Sequence, residues 1–283
     1  RLELSMDLIE ALARDDSLFT RPDGSRWEGF GLAIQAYQKR GVPMVDWTAR
    51  LARKYDRKFF VRLVKGAYWD TEIKLSHVGG FKDFPVFTRK LATDVSYLAC
   101  AEKMLAADDA IYPAFATHNA YTIGAIKAMA GAKPLEFQRL HGMGEDIYGA
   151  LAQMEGNNRT NVRIYAPTGT HKDLLAYLVR RLLENGANSS FVNRMADAEV
   201  PASALATDPV ADMAQVEPYR NPTIPLPADI FPGRKNSAGI DLSDPLVLEP
   251  LQERLAALDE RHWTAEPTFM SGAEAEIAPI NKP

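Results

Sequence analysis

The chain has 283 residues, 46% of them hydrophobic and 25% charged, with a formal net charge of −4 at pH 7. That is the composition of an ordinary globular protein, and its acidic balance argues against a nucleic-acid binder. The single cysteine, Cys100, excludes an internal disulfide and suits a reducing, cytoplasmic compartment, and no segment reaches the roughly 18 apolar residues of a membrane span.

The chain opens on Arg1-Leu2-Glu3-Leu4 rather than on Met and runs straight into a helical pattern at Leu4–Arg14, as a piece of a longer chain would. Short apolar, β-branched and aromatic runs then alternate with longer helical patterns. Strands are expected at Phe30–Tyr37, Lys58–Lys65, Tyr112–Thr117, Glu136–His141, Arg163–Ala166 and Ser190–Asn193. Helices are expected at Pro43–Tyr55, Thr88–Ala107, Ala120–Ala130, Gly144–Met154 and Lys172–Asn185. Strand–helix alternation, with strands apolar on both faces, indicates an α/β protein with a parallel sheet covered by helices. A doubly wound open sheet and a (β/α)8 barrel both satisfy it. Gly142-Met143-Gly144 lacks the third glycine of a dinucleotide-binding turn.

Strand ends favour the barrel. They carry Gln35 and Tyr37; Arg62 and Lys65; Thr117, His118 and Asn119; Gln138, Arg139 and His141; Tyr165; Asn193 and Arg194. A barrel brings all such ends to one mouth, whereas an open sheet uses only those near its switch point. The expectation is a TIM-type barrel with about its last six strands in this chain. The last expected helix carries Tyr177, Arg180, Arg181 and Glu184 at i, i+3, i+4 and i+7, roughly one face. Glu184 can pair with Arg180, and a guanidinium fork suits a planar carboxylate, so the stretch reads either as a carboxylate clamp or as a solvated arginine pair.

After Arg194 the character changes, because 12 of the 18 prolines lie from Pro201 onward. We expect a barrel domain over 1–200 and, over 201–283, an extended arm whose one helix is Pro250–Leu258.

Four motifs occur in a fixed order: Arg62-Leu63-Val64-Lys65-Gly66-Ala67-Tyr68-Trp69-Asp70, Phe115-Ala116-Thr117-His118-Asn119, Leu140-His141-Gly142-Met143-Gly144-Glu145 and Tyr177-Leu178-Val179-Arg180-Arg181. In that order they resemble the proline dehydrogenases. More closely, the chain is similar to the bifunctional bacterial flavoenzymes of the proline utilization A family, which join a proline dehydrogenase barrel to an aldehyde dehydrogenase. The resemblance runs from near Arg1 to about Ala206 and continues more weakly through Ile224-Pro225-Leu226-Pro227 and Asn236-Ser237-Ala238-Gly239.

The resemblance implies FAD as cofactor, L-proline as substrate, hydride transfer to flavin N5 giving 1-pyrroline-5-carboxylate, and a quinone as electron acceptor. It further implies a covalently linked aldehyde dehydrogenase domain, a homo-oligomer, and a cytoplasmic protein that works at or near the inner membrane. Arg180 and Arg181 match carboxylate-binding arginines, and Tyr68, Leu140, Tyr165 and Tyr177 match the walls of the proline slot. Arg62 matches the arginine near flavin N5. Gln35, Val64, Gly66, Ala67, Trp69, Thr88, Thr117, His118, Asn119, Gln138 and Glu184 fall where the family lines FAD. No metal is implied. A lysine and an acidic residue that the family uses on earlier strands belong to motifs not found here.

Several of these residues have plainer readings. Trp69 and Tyr165 fit strand-end packing, His118 a hydrogen bond at a helix entry, and Asn119 a helix N-cap. Two other functions stay open: a metal-dependent barrel hydrolase recruiting His118, His141 and His171, and a non-catalytic interface piece.

Overall fold

The computed structural model describes residues 2–186, 201 and 206–259. The chain divides into two compact units, Arg1–Ile240 and Asp241–Pro283. In the first unit five strands form one wholly parallel sheet in chain order: β1 (Gly31–Gln35), β2 (Phe59–Val64), β3 (Ile111–Ala116), β4 (Glu136–Leu140) and β5 (Asn161–Tyr165). Each strand is followed by helix. These are α2 (Gly41–Lys54), α3 (Trp69–Gly79) and α4 (Lys90–Ala106) in tandem, α5 (Ala120–Ala130), α6 (Glu145–Glu155) and α7 (His171–Gly186), with α1 (Leu2–Arg14) ahead of β1. Among the described strands the order never reverses, so there is no switch point of the doubly wound kind. The expected strand Ser190–Asn193 lies outside the described residues.

Period-2 alternation divides the sheet into two faces. In β2, Phe59, Val61 and Leu63 are fully buried, while Phe60, Arg62 and Val64 are partly exposed on the other side. The first set joins one apolar core with Tyr97, Cys100 and Met104 of α4, Ile126 of α5, and Phe115 and Phe137 of β3 and β4. Fully burying such a side chain contributes about 1.5–3 kcal/mol. The Tyr97 hydroxyl reaches the carbonyl oxygens of Leu63 and Ala116, each at 3.3 Å, and so ties α4 to two adjacent strands. Arg57 docks α1: its Nε donates to the Ala13 carbonyl at 3.1 Å, its Nη2 pairs with Asp16, and its guanidinium lies over the Phe19 ring.

Local chemistry explains the element ends. Asn119 caps α5, its Oδ1 accepting from Thr122 N–H at 2.9 Å. Helix α3 has no counterpart in the sequence reading, because it buries only Ile73 and Ser76 and shows no sustained apolar stripe. The proline-rich segment contains a short helix, α8 (Pro209–Ala214), capped by Asp208 with Pro209 in its first turn, and a 3-10 turn at Pro227–Asp229. Both belong to the first unit. In the second unit α9 spans Pro245–Asp259 rather than starting at Pro250. Asp244 Oδ1 accepts from Leu246 N–H at 3.1 Å, so the N-terminal signal is Asp244-Pro245 and Pro250 lies inside the helix.

Candidate active site

A cleft of about 360 Å3 opens at the carboxyl ends of β1, β2, β3 and β5 and is closed on one side by α7. Gln35, Arg62 and Val64 line it from β1 and β2, and Lys65, Gly66, Ala67 and Tyr68 from the loop after β2. Ala116 and His118 come from the end of β3, Tyr165, Ala166 and Pro167 from β5, and Tyr177, Arg180 and Arg181 from α7.

Strand register explains the place of Arg62. Its partners across the sheet are Ala33 and Ala114, whose small side chains leave room for a guanidinium on the cleft face. The guanidinium lies 4.6 Å from the centroid of the Tyr165 ring, a cation–π arrangement. On α7, Arg180 lies 5.2 Å from the Tyr68 ring centroid and Arg181 lies 5.5 Å from that of Tyr177. Each arginine thus lies against a tyrosine face. The Nε atoms of Arg62 and Arg180 are buried without a hydrogen-bond partner among the described residues. A buried donor left unmet costs about 1–3 kcal/mol, so both gain if an acceptor enters the cleft.

Gly66 has a φ of +132°, and a Cβ there would fall 2.5 Å from the Tyr37 ring. Only glycine lets the chain turn so tightly against Tyr37 before presenting Ala67 and Tyr68 to the cleft. Tyr37 is buried behind it, and burial pushes its phenol up to about 12.

His118 Nε2 accepts from Leu140 N–H at 3.2 Å, which places the ring proton on Nδ1. Burial, together with the charges of Arg139 and Arg181, pushes its pKa down to about 4. His118 is therefore a neutral hydrogen-bonding group in a cationic neighbourhood. Lys65 lines the cleft although the family resemblance gave it no role; its Nζ pairs with Asp94 of α4. Its position beside Arg62 among the strand-end residues was the available signal.

Other expected residues are not brought to the cleft. Trp69 Nε1 donates to the Phe87 carbonyl at 2.7 Å, and its ring packs on the small cluster of Tyr37, Ile73, Phe84 and Val86. Thr88 Oγ1 accepts from Asn221 N–H at 2.9 Å. Thr117 is buried, its Oγ1 accepting from Asn119 N–H, and Asn119 serves as the α5 cap. Gln138 is buried and donates to Glu136, which also holds Arg163 through two hydrogen bonds. Leu140 is buried and pairs with Tyr165 across β4 and β5. The Glu184 side chain lies outside the described residues, so its pairing with Arg180 is not described. His141 is exposed and His171 heads α7; with His118 they form no metal-binding group among the described residues.

A family model described as proline dehydrogenase matches residues 1–194. The chain belongs to the proline dehydrogenase family. It is 48% identical over its whole length to the bifunctional protein PutA of Salmonella typhimurium, and 48% identical over 97% of its length to that of Rhizobium meliloti. It spans only 22% of the length of each. It is 30% identical over 60% of its length to the hydroxyproline dehydrogenase of Bos taurus, covering 39% of that protein. Among solved structures, a Bradyrhizobium japonicum PutA variant superimposes with a TM-score of 0.83 at 52% identity, over 91% of this chain and 26% of that one. The PutA of Bdellovibrio bacteriovorus gives 0.75 at 32% identity, again over 91% of this chain and 25% of that one. The motif order read from the sequence therefore identified the family and its bifunctional branch.

Proposed function

We propose that this chain carries the greater part of a proline-oxidising site: FAD-dependent conversion of L-proline to 1-pyrroline-5-carboxylate in a PutA-type enzyme, with a quinone as final electron acceptor and an aldehyde dehydrogenase half on the parent chain. The observation that carries this reading is the convergence of Arg62, Arg180 and Arg181 on one cleft walled by Tyr68, Tyr165 and Tyr177. We further read the sheet as part of a (β/α)8 barrel with this cleft at its mouth, supported by the unreversed strand order and by side chains gathered at strand carboxyl ends.

The donor set fits both substrate and cofactor. Arg180 and Arg181 offer guanidinium donors to a carboxylate, and the tyrosine rings offer apolar faces to a five-membered ring. Arg62, with its unmet buried Nε, and the small Gly66-Ala67 wall suit a flat heteroaromatic ring system. FAD, when bound, supplies the acceptor for a hydride at its N5. The reaction takes a hydride from the ring carbon next to nitrogen and a proton from that nitrogen, leaving a C=N bond.

The arginines do more than anchor the carboxylate. Their field favours the neutral amine over the ammonium, so the nitrogen holds the lone pair that becomes the new π bond. No Asp or Glu lines the described cleft, and the proton leaves to water. Arg62 places positive charge where negative charge develops on reduction. The matching setting is a cytoplasmic enzyme that meets quinone at the inner membrane, and no helix among the described residues is long and apolar enough to cross one.

The test is the visible spectrum of the complete parent enzyme. We expect flavin absorbance near about 450 nm that bleaches on anaerobic addition of L-proline. Absence of the band, or a band that proline leaves unbleached, would sink the proposal.

A further inference from the structure

The proline-rich segment does not simply leave the sheet-bearing unit; it is fastened across α3 and the loop before α4. Pro218 accepts through its carbonyl from Arg89 Nε at 3.2 Å. Asn221 N–H donates to Thr88 Oγ1 at 2.9 Å, and the Pro225 carbonyl lies 2.9 Å from His77 Nε2. Ile224 and Leu226 pack on Tyr37, Ile73, Phe84 and Val86, with Trp69 beside them. The segment ends with Gly239 N–H donating to the Gly80 carbonyl at 2.9 Å. That last contact is backbone on backbone. A Cβ on Gly239 would sit 1.6 Å from the Gly79 carbonyl oxygen, and one on Gly80 would sit 2.4 Å from the Ser237 carbonyl oxygen.

Each attachment leads back to the cleft. Phe87 N–H donates to the Tyr37 carbonyl at 2.8 Å, and the Phe87 carbonyl accepts from Trp69, the first residue of α3. The Tyr37 ring is the surface against which Gly66 turns. Gly66, Ala67 and Tyr68 form one wall of the cleft, and Tyr68 carries Arg180 on its face. We infer that Pro218–Gly239 is a positioning strap for the active site. It clamps the Phe84–Arg89 loop and α3 against Tyr37, and so fixes the Gly66–Tyr68 wall that shapes the flavin and proline sites. Trp69 and Thr88, expected to touch the cofactor, act here as anchor points of the clamp. This inference rests on the proposed function only for what the wall binds; the clamp itself is a statement about the chain.

The experiment uses the complete parent enzyme carrying Gly239→Val, with His77→Ala and His77→Gln as milder companions. Hydrogen exchange of the apoenzyme, read by mass spectrometry, comes first. Gly239→Val should speed exchange in peptides covering Pro218–Gly239 and, if the strap positions the wall, also in those covering Gly66–Trp69 and Phe84–Arg89, while β3 and β4 stay protected. The dissociation constant for FAD and the KM for proline should both rise about ten-fold, with kcat at saturating FAD and proline changing less than two-fold. His77→Ala should show a smaller rise in the same direction, and His77→Gln, which keeps a donor toward Pro225, should recover it. The inference is overturned if the strap loosens while the Gly66–Trp69 peptide, FAD affinity and KM are unchanged, or if Gly239→Val leaves the strap as protected as before. Should Gly239→Val fail to fold, the His77 pair decides: equal KM and FAD affinity in His77→Ala and wild type would also overturn it. Wild-type enzyme that binds no flavin would instead remove the proposed function, and the exchange data would still judge the clamp.

Discussion

The two faces of the same sheet follow opposite rules. Toward the helices, Phe59, Val61, Leu63, Phe115 and Phe137 are wholly buried among apolar neighbours. On the other face, the same sheet presents Arg62 to the cleft between two alanines, with a buried donor unmet among the described residues, and, away from the cleft lining, carries a network in which Glu136 holds both Gln138 and Arg163. One residue of register separates the two. The helix face meets its own needs within the chain and supplies stability. The cleft face leaves buried donors unmet among the described residues, and a ligand of the proposed kind would satisfy them. Substitutions on the first face should therefore change unfolding and spare catalysis, and those on the second should do the reverse.

The largest effect is expected in the core. Phe137→Ala should lower the unfolding free energy by about 3–5 kcal/mol, with the proline KM unchanged at a temperature where the variant is folded. Denaturant titration and steady-state kinetics on one preparation check this, and a KM shift as large as the stability loss would blur the division of the faces. Next is Arg181→Met, which under the proposed function would remove a charge partner of the proline carboxylate at a cost of about 2–5 kcal/mol, read as a steep rise in KM at normal flavin content. An unchanged KM would take Arg181 out of the clamp.

With FAD bound as proposed, Arg62→Met should lower the flavin reduction potential, because the reduced form would lose its counter-charge. Redox titration decides, and a potential at or above that of wild type would contradict the placement. The smallest effect belongs to His118. Its pKa falls from 6.5 to about 4 on folding, so the unfolded chain binds more protons between those values. Stability should rise with pH across that window and be flat above it with respect to this group. His118→Asn should flatten this part of the stability–pH curve; an unaltered slope would show that the ring is not buried as a neutral group.

Much of this was legible in the sequence where local signals were strong. The run Phe59–Val64 and the capped pattern from Asn119 to Ala130 gave their elements nearly to the residue, because alternation and capping act over a few positions. Helix α3 was missed because only Ile73 and Ser76 are buried along it, so its periodicity is faint. The cleft was legible through Arg62, Tyr165, Arg180 and Arg181, charged or aromatic groups at strand ends and on one helix face. Trp69 and Thr88 were harder to place, since their partners, Phe87 and Asn221, are fixed by tertiary docking. The attachment of Asn221 is 133 residues distant in sequence, beyond any local pattern.

The unreversed strand order bears on how the molecule is made. Each strand from β2 onward pairs with the strand just before it in the chain, so the sheet can lengthen one β-strand at a time during synthesis, without waiting for distant segments to return. In such growth the apolar layer over β1, β2 and β3 is in place early, and β5 and α7 come later. A nascent chain would thus have a scaffold before it has Tyr165, Arg180 and Arg181, and the strap would seal the wall last.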